Sequence, residues 1–433
     1  MILQAKSNQS LYYLLIAYAF FAFLMPLTTG LVAVLGLLSF LAVLLLNDSD
    51  LLCFLAFSVC FTGASGLTAL FLSIYAAFLA LIILKYIVLS IKGKDKKRVK
   101  FIYATVCLLA ILTLYGLILT KFHFYKLGQS IGLILTIAVV YLVEKVDFKK
   151  LVLILSLGLI SSTILSLIAY FCGVATYPPF ISDASTKFRF GGYFSNINAL
   201  AMYCSLCQTF ILALMLLKKL DVKRYLPILL IITLIGLLTF SKTFILLTML
   251  SYMLAVIIGF AKSNNKKQYI KFLMIGVIGL AILTVVFRGY IIAIIKRFLD
   301  DSSYSGGVLN VATTGRVDIW KSYIDKWTSS PLYMLFGCGI TADNINERTT
   351  HNIYLSILYK FGIVGTILLV GCVIWILKSK RVSRNIATYL PIILIMTNGL
   401  SEDITCSLYT SLPILISLLF IVCSGEKKST EDK

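Results

Sequence analysis

The sequence predicts an all-α polytopic integral membrane protein with about 12–14 transmembrane helices and one long extracytoplasmic loop. Three observations predict it. First, 60% of the 433 residues are hydrophobic and only 13% are charged, with a mean hydropathy of +0.98, which is more apolar than a water-soluble core requires. Second, uncharged runs such as FIYATVCLLAILTLYGLILT (101–120) and SNINALAMYCSLCQTFILALMLL (195–217) are long enough to cross a hydrocarbon layer of roughly 30 Å. Third, the basic residues cluster in short connections that fall on one side if the apolar runs alternate. Alternating ten-residue segments, the mark of a membrane β-barrel, are absent from the sequence.

In chain order the candidate spans are 11–27, 30–46, 51–63, 66–90, 101–120, 131–146, 150–172, 195–217, 225–240, 242–260, 270–287, 352–378, 385–400 and 408–423. The run from Leu11 leads straight into another from Gly30, unlike a cleavable signal. The 51–63 segment is short for a span, and only Ser241-Lys242 interrupts 225–260. Of the 39 Lys and Arg, 25 lie in the two termini and in the connections at 91–100, 144–150, 218–224, 261–271 and 378–384. The positive-inside rule makes that side cytoplasmic, with both termini inside. The 173–194 connection, the Ser241-Lys242 break and the 288–351 loop then face out. The whole of 1–433 reads as a single membrane-embedded domain, with the large 288–351 loop inserted before the last three helices.

A net charge of +21 raises the question of nucleic acid, but the short basic connections explain it, and no nucleic-acid partner is expected. Nearly all ten cysteines lie in apolar runs, where Cys acts as a small hydrophobe. Cys204 and Cys207 form a CxxC within one such run, with no second pair, and read as packing rather than a metal or disulfide site. The sequence has no GxxxxGK[ST] or HExxH motif. Asp300-Asp301 and Glu402-Asp403 are isolated acidic pairs, so neither a metal nor any other cofactor is expected.

What the outer side offers is cations. Arg189 lies in STKFRFGGYFSNINAL (185–200), where Gly191 and Gly192 allow a tight turn. Ser195, Asn196 and Asn198 are suited to opening the helix that follows. Lys242 lies in LLTFSKTF (237–244), between two apolar runs. His351 follows Thr349 and Thr350, which are expected to cap the helix running inward from Asn352, and a helix start is a ready anion site. Each cation alone has a plainer reading as a border residue that snorkels or meets headgroups. The other histidine, His123 in TKFHFYKLG (120–128), reads as interfacial in a short loop. Within 288–351, TTGRVDIWKSYIDKW (313–327) places Arg316, Trp320, Tyr323 and Trp327 on one helical face and Asp318, Lys321 and Asp325 on the other. That helix either lies on the membrane interface or packs on the bundle end. Glu402 is a border acid, plainly explained as an N-cap for the last helix.

Four blocks in this order, FRFGGYFSNINALA, LLTFSKT, TGRVDIWKSYIDKWTSSPLYMLFGCGI and HNIYLSILYKFGIVG, resemble the O-antigen ligase and polymerase superfamily of Wzy-type proteins, from about Arg189 to Gly365. The resemblance implies a GT-C-like membrane glycosyltransferase. Its donor would be a polyprenyl-diphosphate-linked glycan outside the cell. It implies catalytic roles for Arg189, Lys242 and His351. Lys242 departs from the family pattern, because the corresponding residue there is arginine. Arg316, Asn198, Asn352, Trp320 and Glu402 are added as candidate substrate-binding residues. The expected function is a polymerase of capsular or other surface polysaccharide in the bacterial plasma membrane. A ligase moving finished glycan to another acceptor is the near alternative, and a flippase of lipid-linked glycan the alternative from another class. Partners implied are the lipid-linked oligosaccharide as donor and acceptor, membrane lipid, a chain-length regulator and a flippase.

Overall fold

The computed structural model describes residues 2–25, 30–62, 79–88, 124–174, 180–183, 186–194, 196–262, 315–339, 349–380, 385–402 and 408–424, with scattered positions between them. Helices dominate. They are α1 (Ile2–Leu24), α2 (Leu31–Leu45), α3 (Asp48–Ser58), α4 (Leu79–Val88), α5 (Phe124–Leu142), α6 (Phe148–Phe171), α7 (Ile197–Leu216), α8 (Val222–Leu238), α9 (Lys242–Lys262), α10 (Arg316–Thr328), α11 (Pro331–Phe336), α12 (Ile353–Ser379), α13 (Leu390–Asn398) and α14 (Leu408–Cys423). Among the described residues, α6, α7, α9 and α12 are long and apolar enough to cross a membrane, and shorter apolar helices accompany them. The protein is an all-α polytopic membrane protein. The spans foreseen at 101–120 and 270–287 lie almost wholly outside the described residues, as does part of 66–90.

Three local expectations change. The 51–63 segment is not a full span: α3 has 11 residues, continues as a 3-10 turn at Val59–Phe61, and is buried along its length. Asn47 caps it by accepting from the Asp50 N–H, and the segment's apolarity serves the protein interior rather than lipid. The 120–128 stretch is not wholly a loop, because α5 already starts at Phe124; His123 lies outside the described residues. The 173–194 connection contains an antiparallel hairpin, β1 (Phe180–Asp183) with β2 (Thr186–Phe190), in which Ile181 pairs with Arg189.

The buried axis of the bundle is α7, with Leu200, Tyr203, Leu206, Phe210 and Ala213 excluded from the surface. Around it pack α6, α8, α9 and α13, while Leu44, Met249 and Ile367 face outward as lipid-exposed residues do. Lipid removes the hydrophobic drive between helices, so close packing and polar contacts must hold the bundle. Both are present. A Cβ on Gly236 would come within 2.1 Å of the Phe244 ring, so its absence lets α8 and α9 approach. Gln208 on α7 donates to Thr233 on α8 at 2.7 Å and accepts from Thr248 on α9 at 3.1 Å. At the end where α3 and α6 begin, buried Asp50 pairs with Lys150 at 2.6 Å.

One crossing fixes the path into α12. Gly362 has φ 64° and ψ −172°, a conformation open to glycine alone, and it kinks the helix. A Cβ there would lie 2.4 Å from the Gly337 N and the Leu335 O. The close approach lets the Cys338 N–H donate to the Tyr359 carbonyl at 2.7 Å, which docks α11 on the kink.

Candidate functional site

Helix ends from distant parts of the sequence meet at one end of the bundle. α8 ends at Leu238 and α9 starts at Lys242, with Ser241 between them accepting from the Phe244 N–H at 3.4 Å. α13 ends at Asn398, and the Gly399 carbonyl accepts the Ile353 N–H at 2.7 Å, joining that end to the start of α12. A Cβ on Gly399 would stand 2.3 Å from Ile353 Cγ2, so only glycine allows this approach without a shift. Thr243 and Ser401 hydroxyls are 3.1 Å apart, which ties α9 to the same turn. The basic connection 218–224 and the start of the 378–384 connection follow the opposite ends of α7 and α12.

The junction gathers most of the foreseen residues around one carboxylate. Arg189, at the end of the hairpin, donates through Nε to the Thr239 carbonyl at 3.1 Å and through a terminal nitrogen to Asn198 Oδ1 at 3.2 Å. Asn198 Nδ2 donates to Glu402 Oε1 at 2.9 Å. A terminal nitrogen of Arg316 reaches the same oxygen at 2.9 Å. The other oxygen, Oε2, faces His351 Nδ1 at 3.5 Å. Glu402 and Arg316 keep only 16% of their side-chain surface exposed, against 35% for His351. A guanidinium, an imidazole and a donor amide on one partly buried carboxylate make a polar network, with each partner limiting the others' rotamers.

His351 is held in an unusual backbone state. Its φ is +46°, in the left-handed region that costs a side-chain-bearing residue about 1–3 kcal/mol. Its neighbours hold it there. Thr350 is buried, and its carbonyl accepts the Trp320 indole N–H at 2.9 Å. Asn352 is the N-cap of α12, accepting from Tyr354 and Leu355 N–H, with Thr350 accepting the Asn352 N–H at 3.3 Å. The expected capping by Thr349 and Thr350 is thus corrected: Asn352 caps the helix, and Thr350 supports the cap. At the other entry, Asn196 caps α7, which leaves Asn198 for the carboxylate; Ser195 lies outside the described residues.

Trp320 and Asn352 therefore brace the site from the side. The amphipathic helix α10 packs on the bundle end: Tyr323 is buried with its ring 4.8 Å from that of Tyr359, while Asp318, Lys321 and Asp325 are exposed. Lys242 opens α9 two residues beyond Phe240, another left-handed position, and three beyond the Thr239 carbonyl that Arg189 holds. The hydrogen bonds of the Asn198–Glu402 pair do not run through it. Glu402 is not an N-cap for the last helix, since α14 begins at Leu408 and its carboxylate is engaged elsewhere. Asp403 and the Asp300-Asp301 pair lie outside the described residues, among which no group of three metal-ligating side chains occurs.

The sequence reading missed Thr239, Asn398 and Gly399. Asn398 is 2% exposed and lines a narrow cleft with Asn198, Ser241, Thr243 and Glu402. The available signal was TNGLSED (397–403), a polar, glycine-bearing break between two apolar runs. Burial pushes the Tyr193 phenol up to about 12 and the Cys338 thiol up to about 11, so neither is a proton acceptor or nucleophile near neutral pH.

Residues 226–370 match the family model described as O-antigen ligase. That stretch runs from within α8 into α12 and includes Lys242, Arg316, Trp320, His351 and Asn352, while Arg189, Asn198 and Glu402 join from outside it. No curated protein and no solved structure matches the chain. The match supports glycosyl transfer of the ligase and polymerase type, and lipid-linked polysaccharide as the substrate class, rather than transport. The match over residues 226–370, about a third of the chain, supports a relation to the O-antigen ligase and polymerase superfamily.

Proposed function

We propose that the protein joins polyprenyl-diphosphate-linked oligosaccharide repeat units into a surface or capsular polysaccharide at the outer leaflet of the bacterial plasma membrane. The observation that carries this reading is the convergence of Arg189, Arg316 and His351 on the Asn198–Glu402 pair, at the bundle end away from the basic connections. In the proposed step an acceptor sugar hydroxyl attacks the anomeric carbon of the donor glycan. The new glycosidic C–O bond forms as the bond to diphosphate breaks. Polyprenyl diphosphate leaves with the electron pair, and the hydroxyl proton passes to His351, giving imidazolium. Arg189 and Lys242 are the candidate cradle for the charge growing on diphosphate. Histidine suits proton acceptance near neutral pH.

The family description favours a second reading, ligase-type transfer of finished glycan to another acceptor. Deleting the gene separates the two. Loss of a polymerase leaves surface glycan of single-repeat length. Loss of a ligase leaves long chains on the lipid carrier and none on the final acceptor. An unchanged glycan profile would refute both.

A further inference from the structure

We infer that Glu402 is a positioning residue for the proton acceptor, not a substrate ligand: it orients His351 so that Nε2 takes the proton. This rests on the proposed role of His351 and adds how the imidazole is held. Three observations carry it. Oε1 of Glu402 is already held at 2.9 Å by both Asn198 and Arg316, leaving that oxygen little capacity for a sugar or diphosphate. Oε2 is directed at Nδ1 of His351, 3.5 Å away, longer than a closed hydrogen bond but in the range seen before substrate tightens such a contact. The His351 backbone is held at φ +46° by the Thr350–Trp320 and Asn352 contacts, so the ring is delivered to the carboxylate against local preference.

The chemistry follows from the two ring nitrogens. A carboxylate facing Nδ1 favours the neutral tautomer with its proton on Nδ1, because that N–H can donate to Oε2. The lone pair is then on Nε2, the nitrogen turned away from Glu402, where an acceptor hydroxyl can approach. When Nε2 takes the hydroxyl proton, the imidazolium that forms stands beside Oε2, which stabilises its charge. Arg316 offsets the carboxylate charge at Oε1 and, with Asn198, fixes which oxygen is presented.

Because the chain has two histidines, His123→Gln leaves His351 as the single imidazole. The test uses that protein, purified whole and ¹⁵N-labelled at histidine, at a pH above the ordinary histidine range. The ¹⁵N shifts report which ring nitrogen bears the proton. The expected result is the Nδ1–H tautomer, converting to Nε2–H in Glu402→Gln, whose amide N–H would donate to Nδ1. Turnover of lipid-linked oligosaccharide, extracted from cells lacking the gene, should fall roughly 10²–10⁴-fold in kcat with KM little changed. Glu402→Asp keeps the carboxylate and should retain Nδ1–H with intermediate turnover, and it carries the test if Glu402→Gln does not fold. The same tautomer in Glu402→Gln as in the parent, or the Nε2–H form in Glu402→Asp, would overturn the assignment. So would normal kcat in Glu402→Gln alongside an inactive His351→Ala. Normal turnover in His351→Ala would instead remove the proposed role of His351 itself.

Discussion

Removing Arg189 and His351 singly and together tests whether the junction works as one unit. The two side chains are linked by a chain of contacts: Arg189 to Asn198 at 3.2 Å, Asn198 to Glu402 at 2.9 Å, and Glu402 to His351 at 3.5 Å. Arg189→Ala leaves Asn198 Oδ1 without the arginine donor and the carbonyl of buried Thr239 without the Nε donor, a stability loss of about 1–3 kcal/mol. Losing a general base costs roughly 10²–10⁴-fold in turnover, and a diphosphate cation a comparable factor. If the residues acted independently, the double variant would lose the product, on the order of 10⁴–10⁸-fold. Residues in one network are not additive, so the double variant should be little worse than the poorer single one, with a coupling of at least ~1.4 kcal/mol, or tenfold. The assay is turnover of lipid-linked repeat units by purified protein in liposomes, with melting temperature recorded for each variant. Two independent factors that simply multiply would refute the coupled unit. Near-normal turnover in His351→Ala would refute the part given to the histidine.

Four further outcomes are expected. Lys242→Arg should keep or raise turnover, since a guanidinium fork suits diphosphate better than a point charge, and Lys242→Met should lose most of it; equal activity of Met and Lys variants would leave Lys242 a snorkelling residue. Turnover should survive EDTA, and loss restored by added Mg²⁺ or Mn²⁺ would argue against a purely cationic cradle. In a cysteine-free background, Asp325→Cys on the exposed face of α10 should react with a membrane-impermeant maleimide on intact cells; reaction only after permeabilisation would place the junction on the wrong side for the proposed donor. Gly362→Ala should destabilise the fold by more than ~3 kcal/mol, read as lost folded protein on size-exclusion, because its Cβ would meet backbone at 2.4 Å and its φ is +64°; a monodisperse, stable variant would contradict the crossing at Gly337.

Several features of this site were legible residue by residue. Arg189, Lys242 and His351 stand out because a charged or titratable side chain beside an apolar run is costly unless something uses it. The helix over 313–327 is visible from its alternating faces, and the structure starts it at Arg316. Its partner surface was not legible: the same pattern suits a membrane interface or a protein, and the Tyr323–Tyr359 contact decides for protein. The 51–63 segment misled in the same way, because an apolar run looks alike whether it faces lipid or protein.

By itself, the sequence determined that this chain lives in a membrane, roughly where it crosses, which connections are basic, and which segments bear unusual cations. Those properties are local: about 20 apolar residues satisfy the bilayer whatever their neighbours do. Tertiary structure alone decided that Glu402, 204 residues beyond Asn198, would be the carboxylate on which the site converges. It decided this through helix ends. Gly399 lets α13 meet the start of α12, Asn352 rather than Thr350 caps that start, and the resulting turn forces His351 to φ +46°. Which polar groups pair at a helix end depends on which other ends arrive there, and that is set by packing across the whole bundle, which no local pattern of residues encodes.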